Sequence, residues 1–148
     1  MRFSLALPRE TLSIPVIRRV LGDALRGLGV NEDCIGDILV ATSEACTNVI
    51  QHSRSNGNYE VVGRVDEDAC DLKIMDWGRG LRNATSGADR GILSESGRGI
   101  KIMRALVDEI SIESVPDAGT VVHLQKRLTW RDEALIRRLE SRLIHSAG

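Results

Sequence analysis

The spacing of hydrophobic residues changes several times along the chain, and each change predicts a new element of secondary structure. Alternation over residues 3–7 predicts a short edge strand. Helical spacing over 14–28 predicts a first helix, which Gly29 would close as a C-terminal cap. A second helix is predicted over 32–51, with Asn31 as its N-cap.

Four further strands and two further helices follow the second helix. Period-two alternation predicts the strands, and a return of helical spacing predicts the helices. The predicted strands are 59–66, 70–76, 109–115 and 120–128, and the predicted helices are 100–107 and 130–144. In the strand at 70–76, Leu72, Ile74 and Asp76 fall on one face, so an aspartate ends the apolar side of that strand.

This order of elements predicts the fold class. Short connections favour antiparallel pairing, and helices with one apolar face must bury it against the sheet. We therefore predict an α+β fold, a two-layer sandwich in which a mostly antiparallel, mixed sheet is covered by helices on one face. The 148 residues are enough for one domain with its own core. We expect a single domain over 1–148, with its core at 3–128 and a C-terminal helix at 130–146.

Composition narrows the functional classes. A net charge of −1 and a pI near 6.3 argue against direct binding of nucleic acid. The apolar runs are shorter than the ~20 residues that a membrane-spanning helix needs. Three cysteines, Cys34, Cys46 and Cys70, match no zinc-binding spacing and accompany no secretory signal. We therefore expect reduced thiols in a cytoplasmic protein.

Three polar residues interrupt the buried side of the second helix. Glu44, Asn48 and His52 lie four residues apart, so their side chains stack along one stripe of the helix. The stripe either faces water or lines a site. Asn48 offers a hard oxygen ligand of the kind that Mg²⁺ accepts, and Glu44 could orient or deprotonate an attacking hydroxyl or water. His52 is more simply a helix-end or packing residue.

Two glycine motifs flank a long segment that shows no periodicity. Asp76, Gly78 and Gly80 form D-x-G-x-G at the end of a strand, where the aspartate could accept a hydrogen bond from the exocyclic amine of a purine or could cap a turn. The sequence S-G-R-G at 96–99 precedes a helix. Backbone N–H groups at that position could hold phosphates, or the glycines could form a hinge. A segment of this length between the motifs is typical of a lid or binding loop.

The order of these motifs is more informative than any one of them. Glu-x-x-x-Asn on a helix, D-x-G-x-G after a strand, G-x-G before a helix and Gly-Thr on a strand together resemble the GHKL ATPase superfamily. That superfamily has the Bergerat type of ATP site, as in gyrase and sensor histidine kinases. The stretches SEACTNVIQHS, DWGRGL and SGRGIKIM most resemble the small anti-sigma factor serine kinases of bacteria. The resemblance spans about residues 3–128, and the lid at 81–95 does not align.

The resemblance implies a role for each residue of the motifs. Glu44 would be the catalytic base and Asn48 the Mg²⁺ ligand. Asp76 would bind the adenine amino group of ATP, with Thr120 supporting it through water. The glycine motifs would line the adenine pocket and close over the phosphates. The residues are Gly78 and Gly80 in the first motif, and Gly97, Arg98 and Gly99 in the second.

The resemblance also implies a function. It predicts an anti-sigma factor that sequesters an alternative RNA polymerase sigma factor and uses ATP and Mg²⁺ to phosphorylate a serine or threonine of a STAS anti-anti-sigma antagonist. A homodimer formed through the first strand and helix is part of the same expectation. The alternative is an ATP-gated partner-binding module with little or no kinase activity. A detached histidine-kinase domain is disfavoured, because His52, His123 and His145 do not suit a phospho-accepting histidine on a dimerising helix pair.

Overall fold

The computed structural model of the chain describes residues 1–52, 57–76, 97–115 and 119–147. Strands and helices follow one another in the predicted order, and their bounds differ from the predicted ones by at most three residues. The elements are β1 (Arg2–Leu7), α1 (Ser13–Leu28), α2 (Glu32–His52), β2 (Tyr59–Val65), β3 (Ala69–Met75), α3 (Gly97–Leu106), β4 (Glu109–Val115), β5 (Gly119–Arg127) and α4 (Asp132–Ala147).

The five strands form one sheet in the order β1-β2-β3-β5-β4. All four of these pairings are antiparallel, so the described part of the sheet contains no parallel pair. Helix α2 packs on β3 and β5, with α1 and α3 beside it. The open face of the sheet carries polar residues such as Lys73 and His123, which pair across β3 and β5. The predicted α+β sandwich with helices on one face is confirmed, but the described part of the sheet is antiparallel and not mixed as predicted.

Aliphatic side chains fill the space between the sheet and the helices. Ile17, Leu21 and Leu25 repeat every four residues and form the buried face of α1. They meet residues of α2 such as Ile35 and Ile38, which are equally buried. Helical periodicity therefore identified the side of α1 and of α2 that faces the core.

The junction between α1 and α2 confirms both predicted caps. Gly29 has a φ of +92°, and its N–H donates to the carbonyl of Arg26 at 3.0 Å. A Cβ at Gly29 would also lie 2.5 Å from the Cβ of Ala134, so glycine is required twice over. Oδ1 of Asn31 accepts a hydrogen bond from the N–H of Asp33 at 2.9 Å, which begins α2.

Buried polar groups hold α2 against α1 and β2. The hydroxyl oxygens of Ser13 and Tyr59 lie 2.6 Å apart, and Tyr59 also interacts with the thiol of Cys46 on α2. Burial raises the pKa of Cys46 to about 12, although the hydrogen bond with Tyr59 lowers it in part. Burial is also the main cause that raises the pKa of Tyr59 above its usual value. Both groups therefore stay protonated and uncharged at neutral pH.

Helix α4 lies outside the core. Arg138 stacks over the ring of Trp130 at 3.5 Å, and Arg142 forms an ion pair with Glu67 at 2.9 Å. The apolar residues Leu135 and Leu139 nevertheless remain about half exposed. The predicted amphipathic helix forms, but these residues of its apolar side face solvent rather than the core of this chain. None of the described helices is long and apolar enough to cross a membrane.

Two leucine-to-alanine substitutions should differ in their effect on stability, because one lies in the core and the other on the exposed side of α4. Leu25 is 0% exposed, so Leu25→Ala should lower the free energy of unfolding by about 2–5 kcal/mol through lost burial and a cavity. Leu139 is 50% exposed, and Leu139→Ala should cost less than about 1 kcal/mol. Urea denaturation of both variants measures the difference. Equal losses would contradict the placement of α4 outside the core.

The buried thiols should make the protein less stable in alkali. Burial raises the pKa of Cys46 and Cys70 to about 12, while an unfolded thiol titrates near 8.5. Unfolding therefore releases protons above pH ~8.5, and stability present below that pH falls as the pH rises toward 12. Urea denaturation across this range measures the slope, which Cys46→Ala should reduce. Rapid labelling of the native thiols at pH 8 would contradict their burial.

Candidate functional site

Apart from Tyr59 and the cysteines, five polar side chains are buried in the described part of the chain. Two of them, Ser13 and Thr42, donate to main-chain carbonyls three and four residues earlier, at 2.7 and 2.6 Å. The other three are Asn48, Asp76 and Thr120, each no more than 2% exposed. All three belong to the motifs that the sequence singles out. Because burial of a polar group is costly unless it is compensated, their positions define the candidate site.

The first half of the site forms where α2 meets the beginning of α3. A Cβ at Gly99 would lie 2.9 Å from Oε2 of Glu44 and 3.7 Å from Oδ1 of Asn48. Four-residue spacing thus turns the carboxylate and the amide toward the first turn of α3. Gly99 permits this close approach because it has no side chain. Nδ2 of Asn48 is buried without a hydrogen-bond partner among the described residues.

The electrostatics of α3 favour an anion at this point. A helix N-terminus carries about half a positive charge and has N–H groups without intrahelical partners. The first turn of α3 contains no acidic residue of its own, and the half-buried Glu44 lies against it. Gly97 is the first residue of α3 and Arg98 is exposed. The glycine motif therefore forms the first turn itself, and the prediction that the helix begins at residue 100 was three residues late.

The second half of the site forms at the end of β3. The antiparallel pairing of β3 with β5 places the end of one strand beside the start of the other. The backbone N–H of Asp76 donates to the carbonyl of Thr120 at 2.9 Å. Asp76 continues the buried side of the alternation that includes Leu72 and Ile74. The structure therefore brings Asp76 and Thr120 together, as the sequence predicts.

Arg9 connects the two halves, and no motif in the sequence indicated it. Its Nε lies 3.6 Å from Oδ2 of Asp76, and its Nη2 donates to the carbonyl of Ile50 at 3.0 Å. Ile50 lies two residues after Asn48 on α2. Arg9 arrives there because β1 pairs with β2 and β2 pairs with β3, which brings the end of β1 near the end of β3. Such a contact has no signature of spacing in the sequence.

Several predicted residues cannot be placed. Gly78, Gly80 and the lid at 81–95 lie outside the described residues. His52 is the last residue of α2, which agrees with its prediction as a helix-end residue. Its side chain is not among the described ones. Within the described ranges, no three His, Cys, Asp or Glu side chains cluster in a way that could hold a metal ion.

Comparison with solved structures supports the fold. The RsbU and RsbW domains of Rv1364c from Mycobacterium tuberculosis match with a TM-score of 0.67 and 20% identity, over 88% of this chain and 32% of that one. This chain thus spans about a third of that larger protein. The SiaB-SiaC complex from Pseudomonas aeruginosa matches with a TM-score of 0.53 and 14% identity, over 84% of this chain and 89% of that one.

Comparison with curated proteins finds closer sequence relatives. The serine-protein kinase RsbW of Bacillus velezensis is 30% identical over 134 residues, which cover 82% of each chain. The anti-sigma F factor of Bacillus licheniformis is 34% identical over 105 residues, which cover 66% of this chain and 72% of the relative. Residues 7–126 match the model of the histidine kinase-like ATPase domain, a range that ends before α4 begins. The chain therefore belongs to the histidine kinase-like ATPase domain family.

Proposed function

We propose that this protein is an ATP-dependent serine/threonine kinase that also acts as an anti-sigma factor. In this proposal it sequesters a sigma factor and phosphorylates a STAS-type antagonist. The observation that carries the proposal is the meeting of Glu44 and Asn48 with the glycine turn of α3. The relatives named serine-protein kinase RsbW and anti-sigma F factor support the two halves of the activity.

The adenine end of ATP is assigned to the end of β3. Asp76 would accept a hydrogen bond from the exocyclic amine, and Thr120 would support it through a water. The burial of both residues and their backbone hydrogen bond support this assignment. A desolvated carboxylate discriminates strongly between a donor and an acceptor on the ligand. Gly78 and Gly80, although outside the described residues, are proposed to line the same pocket.

The amide of Asn48 fits a hydrated Mg²⁺. Its Oδ1 lies 3.7 Å from a Cβ built at Gly99, beside the first turn of α3, and its Nδ2 makes no hydrogen bond to the described residues. Mg²⁺ usually keeps several waters and takes other ligands from phosphates, so one protein oxygen is sufficient. When bound, the ion would neutralise phosphate charge beside Glu44 and orient the γ-phosphoryl group.

The remaining residues are assigned to phosphoryl transfer. Glu44 would take the proton of the attacking serine or threonine hydroxyl. The hydroxyl oxygen would form a bond to the γ-phosphorus while the bond to the β–γ bridging oxygen breaks, and ADP would leave. Gly97, Arg98 and Gly99 would close over the phosphates, with backbone N–H groups of the first turn as donors.

The surface of the sandwich offers support for a homodimer. Three exposed apolar residues follow one side of α1 at four-residue spacing. They are Leu12, which is the N-cap of the helix, Val16 and Val20. β1 is an edge strand, which needs protection from unwanted pairing. We propose that a second copy covers this side of the molecule. A cytoplasmic location belongs to the same proposal, because a sigma factor is a cytoplasmic partner.

Replacing the proposed base should separate binding from catalysis. Glu44→Gln should slow transfer of labelled phosphate to a cognate STAS protein by about 10²–10⁴-fold, because proton removal is lost. The Kd for ATP, measured by calorimetry, should change less than about threefold, since a base acts mainly in the transition state. Glu140→Gln on the exposed side of α4 is the matched control and should behave as wild type.

The outcome for the wild-type protein decides between the two functions. If it binds the STAS protein and ATP but transfers no phosphate, the kinase assignment is wrong. ATP-dependent exchange of partners without transfer would then favour the nucleotide-gated binding module. Absence of ATP binding would contradict both.

The close approach at Gly99 generates a second prediction. In Gly99→Ala, the new Cβ would meet Oε2 of Glu44 at 2.9 Å and displace the carboxylate. The transfer rate should fall at least about tenfold, because a displacement near 1 Å at a reacting group can cost up to ~10²-fold. Stability should change by less than about 1 kcal/mol, since the end of a glutamate side chain can move.

Gly36→Ala on α2 is the control for Gly99→Ala. No atom lies within 4 Å of a Cβ at Gly36, so this variant should gain about 0.5–1 kcal/mol of stability from helix propensity and keep the wild-type rate. Urea denaturation and the transfer assay measure the pair. A wild-type rate in Gly99→Ala would contradict the position assigned to Glu44.

A further inference from the structure

We infer that Arg9 positions the carboxylate of Asp76 and thereby sets the preference of the site for a 6-amino purine over a 6-oxo purine. This inference rests on the proposed function, because it assigns the purine to Asp76. Arg9 would be a positioning residue, since it acts through Asp76 and not on the phosphates. Its evidence is the pair of contacts that one guanidinium makes to two different elements.

The first contact compensates a buried charge. Asp76 is 1% exposed, and the Arg9 side chain is 15% exposed. A carboxylate in such surroundings is costly unless a cation lies nearby. The distance of 3.6 Å between Nε and Oδ2 is that of an ion pair and is longer than a good hydrogen bond. Through this contact Nε brings positive charge close to Oδ2 without preventing a ligand N–H from approaching the same oxygen.

The second contact fixes the guanidinium. The carbonyl of Ile50, which accepts from Nη2, lies in the last turn of α2, where carbonyls have no intrahelical donor. A cation is also favoured there by the helix dipole. Arg9 is thus held between the C-terminal end of α2 and the end of β3. A lysine could not span both, because its ammonium group is a compact point charge without a planar fork.

The charge on Asp76 decides which purine can bind. An ionised carboxylate only accepts hydrogen bonds, so it matches the 6-amino group of ATP and repels the 6-oxygen of inosine triphosphate (ITP). A buried carboxyl group that loses its cation is favoured in its neutral form. The neutral form carries an O–H donor, which can bind a 6-oxygen. Removing Arg9 should therefore erode the discrimination between the two nucleotides.

The experiment compares the Kd of ATP and ITP, with Mg²⁺ present, by calorimetry. We expect the wild type to bind ATP at least about thirtyfold more tightly than ITP. In Arg9→Met this ratio of the two Kd values should fall about tenfold. Arg9→Gln places an uncharged amide where Nε stands beside Asp76, and its ratio should fall as far, because the charge is lost. Arg9→Lys keeps the charge and should recover part of the ratio. Arg19→Met, an exposed arginine on α1, should leave it unchanged.

Other results would overturn the inference. If Arg9→Met weakens ATP and ITP by the same factor, Arg9 only caps α2, and if Arg9→Gln keeps the wild-type ratio, the charge of Arg9 does not set the preference. If the wild type does not discriminate, Asp76 does not read the amine, although nucleotide binding would stand. If the wild type binds neither nucleotide, the proposed function itself fails, and the inference with it. Should Arg9→Met not fold, the Lys and Gln variants decide, because Lys keeps the positive charge and Gln removes it.

Discussion

The candidate site depends on the fixed orientation of α2 about its own axis. Residues such as Ile38 and Val49 are buried against the sheet and leave the helix one orientation. In that orientation, four-residue spacing turns Glu44 and Asn48 toward α3. Successive residues on a helix point about 100° apart, so a shift by one residue would direct these groups away from the glycine turn. The apolar core thus sets the geometry of the polar site.

Compensation of charge between different elements is the second principle of the site. Asp76 at the end of β3 has Arg9 from the β1–α1 connection beside it. Glu44 on α2 lies against the positive end of α3. Each acidic group is therefore matched by positive charge from another element. This arrangement allows acidic groups to lie so close to an aliphatic core, where an isolated charge would be costly.

Much of the fold and the site could be predicted because periodicity and caps are local signals. Gly29 and Asn31 bounded the helices correctly, since a left-handed backbone and an N-terminal acceptor depend on neighbouring residues. Asn48 and Asp76 were recognisable as polar residues at positions that their elements bury, whereas Thr120 was indicated only by the order of motifs. The roles of Glu44 and the glycines came from the order of motifs, and Gly78 and Gly80 remain predictions outside the described residues.

What the sequence determined by itself was the series of elements and the buried side of most of them, because each depends on residues a few positions apart. Tertiary structure alone decided which distant groups meet. Arg9 reaches Asp76 only because two successive strand pairings bring the ends of β1 and β3 together. The apolar residues of α4 recur at helical spacing, yet Leu139 is exposed, and Arg138 and Arg142 supply contacts of α4 with Trp130 and Glu67. Periodicity records that a helix has an apolar side and does not record what covers it.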